Sequence, residues 1–146
     1  MDFRALEAAA RASVAARDGR ATERAPAASS PASAEAPAID LAHLARQSDN
    51  DLALAEELLR LFDRQSAAML RQLAEGAATR SRRADVAHSL RGSALAVGAW
   101  AAARAAQALE AALGRENGEE SEIDQALATL AEAIGEARAV IARLGG

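Results

Sequence analysis

The C-terminal part of the chain carries an apolar repeat that is typical of a long helix with one buried face. Apolar side chains recur there at alternating spacings of four and three residues: Ile123, Leu127, Leu130, Ile134, Ala137, Ile141 and Leu144. This spacing places them in one stripe on an α-helix. The repeat therefore predicts a helix that contributes a seam to a helical assembly.

A second repeat of the same kind lies earlier in the chain. Its spacings are four, three, four, three and four, with one polar interruption: Ala55, Leu59, Phe62, Ser66, Met69 and Leu73. Such a pattern indicates another bundle helix. A second stripe on this helix could accept the first helix of the domain: Leu54, Leu58 and Leu61.

Two further helices are predicted between these repeats. One starts near Ser81 and ends before Gly98, and the next runs from about Ala99 to Leu113 and is rich in alanine. A short helix with Asp40 near its N-terminus precedes all of them. Four long helices with short connections predict an all-α fold, an antiparallel up-down four-helix bundle with a short extra N-terminal helix.

The composition of the chain changes near residue 38. Residues 19–38 contain all three prolines and few apolar side chains that a core could bury. This composition is typical of a flexible linker. Residues 3–17 could form a short helix, but it has too few large apolar side chains to fold alone: Phe3, Leu6 and Val14. We expect a flexible tail and linker over residues 1–38 and a helical domain over residues 39–146.

The composition also narrows the classes of function. The chain has no cysteine and two histidines without HExxH spacing, so no metal site is predicted. It contains neither a GxxxxGK[ST] loop nor a kinase-type glycine-rich loop, which argues against ATP binding. A net charge of −4 gives no general case for nucleic-acid binding. The charged N-terminus and the lack of a long apolar run predict a cytoplasmic protein that binds no membrane.

His88 lies on the predicted helix that begins near Ser81. On a projection of about 100° per residue, a core-facing stripe forms on this helix: Val86, Leu90, Ser93, Ala94 and Val97. His88 falls nearly opposite that stripe, with Arg91 and Gly92 one turn further on. The pattern predicts an imidazole at the surface beside a cation, with open space at the glycine.

These residues resemble the motif of the histidine-containing phosphotransfer (HPt) domain. Residues 88–93, His-Ser-Leu-Arg-Gly-Ser, and the Val-Gly-Ala step at 97–99 follow the family pattern of His, any residue, Leu, Lys or Arg, Gly, Ser or Ala, then hydrophobic-Gly-Ala. Residues 39–41 and Leu109-Glu110 extend the similarity to about residues 39–144. The basic run at 79–83 departs from the family, in which many members carry an aspartate before this helix.

The resemblance implies a role for each residue of the motif. His88 would be the phosphoacceptor, since a neutral imidazole is a good nucleophile toward an activated phosphoryl group. Arg91 would neutralise the phosphate, with Gly92 and Ser93 as further support. Glu110 occupies a position that often holds a hydrogen-bonding partner of the imidazole, and Gln107 is the alternative.

We predict a docking surface on the side of the helix that carries His88. Ala84 and Leu95 fall on this side, and Arg91 and Arg83 would form its basic rim. The cluster of Arg80, Arg82 and Arg83 either lies in solvent at the start of the helix or attracts an acidic partner. His43 matches no site of the family and is interpreted as an ordinary surface residue.

The resemblance implies a phosphoryl carrier of a multistep phosphorelay, without kinase activity of its own. Its partners would be receiver domains of response regulators, with a hybrid histidine kinase as a further candidate. It would need no cofactor of its own, since the receiver domain would bring Mg²⁺. The alternative is an HPt-like adaptor or a helical interaction module that binds a signalling partner without phosphotransfer.

Overall fold

The computed structural model describes residues 37–75 and 78–145, and all regular secondary structure in these two ranges is helical. The expectations for residues 1–36 lie outside the described residues. Five helices follow one another along the chain: α1 Leu41–Gln47, α2 Leu52–Glu75, α3 Arg80–Val97, α4 Trp100–Gly114 and α5 Glu120–Gly145. The sequence-based prediction of an all-α fold is confirmed.

The four long helices pack side by side around a shared apolar core. Neighbouring contacts join α2 to α3, α3 to α4, α4 to α5 and α5 back to α2, and α1 packs on α2 and α3. None of the described helices is long and apolar enough to cross a membrane.

Both predicted seams lie in this core. On α5 every position of the repeat is buried except Leu127, which is half-buried. On α2 every position is buried except Met69, which is half-buried. The hydroxyl of Ser66, the polar interruption, donates to the carbonyl oxygen of Asp63 at 3.4 Å. The buried hydroxyl therefore has a hydrogen-bond partner.

The second stripe of α2 behaves differently from the prediction. Leu58 packs partly against the core, but Leu54 and Leu61 remain 43% and 39% exposed. Helix α1 does not cover them, because it is short and lies where α3 turns into α4. The expectation that this stripe takes the first helix of the domain is wrong for these two leucines.

Helix α1 is tied to the α3–α4 turn by polar contacts. The backbone N–H of Asp40 donates to the carbonyl oxygen of Gly98 at 2.9 Å. The Asp40 carboxylate accepts from the backbone N–H of His43, as an N-cap, and from the indole N–H of Trp100 at 3.1 Å. These bonds hold the chain's entrance to the domain beside the end of α3.

His43 also differs from its prediction as an ordinary surface residue. It is half-buried, its ring meets Trp100 edge to face with 4.7 Å between ring centroids, and its Nε2 lies 2.9 Å from the carbonyl oxygen of Leu95. A carbonyl oxygen can only accept, so Nε2 carries the proton and donates. His43 therefore packs α1 onto the α3–α4 turn.

Candidate functional site

Helix α3 presents His88 from the middle of its length. Thr79 caps its N-terminus by accepting from the N–H of Arg82 at 3.1 Å, and Gly98 ends it in a left-handed conformation with φ of 75°. The buried residues of α3 are Ala87, Leu90, Ala94 and Val97. His88 lies well away from this stripe, and 64% of its side chain is exposed.

The buried face of α3 is rotated slightly from the predicted one. Ala87 is buried, whereas Val86 and Ser93 are only half-buried at one edge of the stripe. Ser93 lies about 140° around the helix from His88 at 100° per residue. The structure therefore does not bring Ser93 to the imidazole.

Glu110 of α4 lies directly opposite His88. Its Oε2 is 3.1 Å from Nδ1 of the imidazole. Helices α3 and α4 approach closely because their facing side chains are small: Ala87, Ala94, Ala102, Ala103 and Ala106 are all buried. The close approach lets a glutamate on one helix reach a histidine on the other without a bridging residue.

The contact with Glu110 orients the imidazole of His88. An ionised carboxylate only accepts hydrogen bonds, so Nδ1 must carry the proton and donate. In the neutral ring the lone pair then lies on Nε2. With most of the side chain exposed, Nε2 is the nitrogen that can react with a partner from solvent.

Arg91 completes a group of three charged or polar side chains. Its Nη1 lies 3.6 Å from Oε1 of Glu110, and this oxygen is buried with no hydrogen-bond partner among the described residues. Glu110 thus lies between the imidazole on one oxygen and the guanidinium on the other. The arrangement places a cation one helical turn from His88.

Gly92 leaves open space beside His88. A Cβ built on this glycine would meet no heavy atom within 4 Å, and the residue is exposed. Close packing of helices therefore does not explain a glycine here. In a helix interior glycine costs about 1 kcal/mol relative to alanine. Gly92 therefore lowers the stability of α3 and leaves the space beside His88 open.

A groove of about 320 Å³ adjoins this group along α3 and α4. Leu95, 42% exposed, and Trp100 supply its apolar surface, and two arginines, Arg91 and Arg104, supply its charge. Gln107 also lines the groove, so the structure places it beside Arg91 and places Glu110 at the imidazole.

The other two predicted docking residues are only partly exposed. Ala84 is half-buried and packs against the core. Arg83 is half-buried, and its guanidinium donates to the carbonyl oxygen of Leu73 at 3.1 Å. The basic rim beside Leu95 consists of Arg91 and Arg104. Sequence reasoning missed Arg104 and Trp100, although their spacing of four along α4 places them on one face.

One of the basic residues at the start of α3 makes hydrogen bonds within the domain. The guanidinium of Arg80 donates to the carbonyl oxygens of Arg115 and Gly118, at 2.9 and 2.7 Å, in the loop between α4 and α5. Arg82 is exposed. In the two described ranges, no group of three or more His, Cys, Asp or Glu side chains is placed to hold a metal ion.

Comparison with protein-family models, with curated proteins and with solved structures gives no match for this chain. The case for a function therefore rests on the residues and on the geometry around His88. That geometry consists of an exposed imidazole, a carboxylate on Nδ1, a guanidinium beside it and open space at Gly92.

Proposed function

We propose that this protein is a histidine phosphotransfer protein of a multistep phosphorelay. It would be an antiparallel up-down four-helix bundle that acts in the cytoplasm and carries a phosphoryl group on His88 between receiver-domain aspartates. The observation that carries the proposal is the exposed imidazole whose Nδ1 pairs with Glu110, since this pairing leaves Nε2 as a nucleophile. The HPt-like motif at residues 88–93 supports the same reading.

The transfer step uses the lone pair on Nε2 of His88. It attacks the phosphorus of a receiver's aspartyl phosphate, an N–P bond forms, and the bond between phosphorus and the aspartate oxygen breaks to release the carboxylate. No proton leaves the ring, because Nδ1 keeps its own. The ring becomes cationic, and the Glu110 carboxylate at 3.1 Å stabilises that charge. The return step runs in reverse with a second receiver.

Arg91 and the receiver domain provide the other contributions to phosphoryl transfer. A phosphoryl group on Nε2 carries negative charge, and the guanidinium of Arg91 one turn away would neutralise part of it. The receiver brings Mg²⁺ and its aspartate, so this chain supplies a positioned nucleophile and binds no nucleotide. The protein is thus a carrier, and its partners are receiver domains, alone or within a hybrid histidine kinase.

The decisive experiment incubates the full chain with phosphorylated receiver domains and Mg²⁺. We expect one phosphoryl group per chain, labile in acid and stable in base, as measured by intact mass and by treatment at the two extremes of pH. A protein that binds a receiver without acquiring phosphate would be an adaptor, and the proposal would fail.

Replacing Glu110 by alanine should slow phosphoryl acceptance without unfolding the protein. The change removes the acceptor that holds Nδ1 protonated, so the ring loses its orientation, and a misplaced reacting group costs up to about a hundredfold in rate. Glu110→Gln keeps an oxygen that accepts from Nδ1 and should retain most of the rate. Single-turnover transfer from a phosphorylated receiver measures both, and equal rates for the wild type and Glu110→Ala would contradict the assigned role.

Replacing Leu95 by aspartate should weaken receiver docking and leave the fold intact. Leu95 contributes apolar surface to the groove beside Arg91, and a carboxylate there would repel an acidic receiver. We expect roughly tenfold slower transfer at low receiver concentration, which corresponds to a loss of about 1.4 kcal/mol of docking free energy.

The matched control for Leu95→Asp is Leu54→Asp. Leu54 is similarly exposed but lies on α2 and does not line the groove beside Arg91. Its substitution should leave the transfer rate unchanged. Transfer rate against receiver concentration, with circular dichroism for the fold, measures both variants. An equal effect of the two substitutions would remove Leu95 from the docking surface.

A further inference from the structure

One charged side chain in the groove beside Arg91 has no polar partner among the described residues. Helix α4 consists largely of alanine and carries two charged residues, Glu110 and Arg104. Glu110 contacts the imidazole of His88. Arg104 is exposed and lines the groove, and within residues 37–75 and 78–145 its guanidinium makes neither a hydrogen bond nor an ion pair.

The charges around the groove make it positive. Its lining contains two guanidiniums, those of Arg91 and Arg104, and no carboxylate. The charge of Arg91 is partly balanced within the domain, because its Nη1 lies 3.6 Å from Oε1 of Glu110. Two carboxylates of α5, Glu132 and Glu136, line the neighbouring groove on the other side of Arg104, but neither forms an ion pair with it. Arg104 is therefore the cation of this groove that an acidic partner can reach.

The groove also offers apolar surface next to this cation. Leu95 is 42% exposed, and Trp100 and Ala103 contribute further lining. The Asp40 carboxylate accepts from the indole N–H of Trp100 at 3.1 Å, which fixes the indole and engages the charge of Asp40. A matching partner would place an apolar side chain in the groove and a carboxylate beside Arg104.

We infer that Arg104 determines which receiver domains dock beside His88, through a pair with a carboxylate of the receiver. The inference rests on the proposed function, since it names the chemistry of the docking partner. A guanidinium can bind a carboxylate through two parallel N–H bonds, so the pair requires the right geometry as well as the right charge. A receiver with a neutral or basic residue at this point docks more weakly, which gives the interface its selectivity.

Replacing Arg104 by glutamate should raise the receiver concentration for half-maximal transfer by about tenfold, because the change turns an attraction into a repulsion. The rate at saturating receiver should not change, since Arg104 bonds neither His88 nor Glu110. Arg104→Lys keeps the charge and should recover part of the loss. The difference from the wild type should shrink as salt is added, because the pair is exposed. A lower saturating rate at an unchanged half-maximal concentration would overturn the inference.

Arg71→Glu is the matched control for this change of charge. Arg71 is an exposed arginine of α2 that does not line the groove. Its substitution should leave the half-maximal concentration unchanged, and circular dichroism checks the fold of both variants. An equal effect of the two substitutions would indicate a general attraction by net charge and would overturn the role of Arg104.

Fluorine NMR measures docking without phosphotransfer. Trp100 is the only tryptophan of the chain, so fluorinated tryptophan gives one signal, at the groove. In His88→Gln, which has no acceptor nitrogen, added receiver should shift this signal, and Arg104→Glu should need about tenfold more receiver for the same shift. Docking that depends on Arg104 in a protein that never acquires phosphate would refute the proposed function and support the inference. A signal that does not shift, or equal titrations with and without Arg104→Glu, would overturn the inference.

A charge swap tests whether the partner of Arg104 is a carboxylate. Each exposed aspartate and glutamate near the receiver's phosphoacceptor is replaced by arginine in turn. One of these receivers should recover most of the docking to Arg104→Glu and lose docking to the wild type, as expected for a directly coupled pair. If no single replacement restores docking, Arg104 does not pair with a receiver carboxylate and the inference fails.

Discussion

Replacing His88 by glutamine should abolish phosphoryl acceptance from a phosphorylated receiver. Glutamine has no ring nitrogen with a free lone pair, so no N–P bond can form at this position. The fold should be unaffected, because most of the His88 side chain is exposed and it lies off the buried stripe of α3. Transfer of labelled phosphate measures the loss, and circular dichroism checks the helices.

His43→Gln is the matched control, since His43 is the only other histidine of the chain. A glutamine side chain can still donate an N–H toward the carbonyl oxygen of Leu95, which His43 approaches at 2.9 Å. We expect full phosphoryl acceptance and a loss of stability of about 1 kcal/mol, because glutamine cannot replace the edge-to-face contact of the His43 ring with Trp100. Acceptance that survives in His88→Gln and disappears in His43→Gln would reverse the assignment of the acceptor.

The two long apolar repeats made the helical fold predictable. A stripe that continues over six or seven positions leaves little freedom in the phase of a helix, so the buried residues of α2 and α5 follow from spacing alone. Helix α3 is shorter and rich in alanine and arginine, and its hydrophobic contrast is weak. There the small residue Ala87 is buried while the larger Val86 lies at the edge, because close packing against α4 favours alanine.

The choice between Glu110 and Gln107 could have been made from the sequence. Helices α3 and α4 form a hairpin about Ala99, so residues at equal distances from Ala99 face each other. His88 and Glu110 are each eleven residues away, and Arg91 and Gln107 are each eight residues away. The observed pairs follow this symmetry, since Glu110 meets His88 and Gln107 shares a groove with Arg91.

The contacts of α1 could not be predicted in the same way. His43 bonds a carbonyl 52 residues away, and Asp40 bonds the indole of Trp100, 60 residues away. No local periodicity encodes a pairing over such separations, because each depends on how the whole chain folds. The same limitation applies to Arg83, whose long side chain turns toward the end of α2.

Replacing Gly98 by alanine should destabilise the domain by about 2 kcal/mol or more. Gly98 has φ of 75°, a conformation that costs a side-chain-bearing residue roughly 1 to 3 kcal/mol. An added Cβ would also lie 2.9 Å from both Cβ and the carbonyl oxygen of Asp40, and backbone there cannot yield without moving α1. The denaturant midpoint, at an unchanged slope, measures the loss.

Gly135→Ala provides the opposite expectation within the same protein. Gly135 lies inside α5, and a Cβ there would meet nothing within 4 Å, so alanine should stabilise the helix by about 0.5 to 1 kcal/mol. The contrast matters because both changes add one methyl group. If Gly98→Ala is instead as stable as the wild type, α1 is not held against the α3–α4 turn by its bond from Asp40 to Gly98. If Gly98→Ala alone lowers the stability, the turn next to the Leu95 groove depends on the backbone conformation of Gly98.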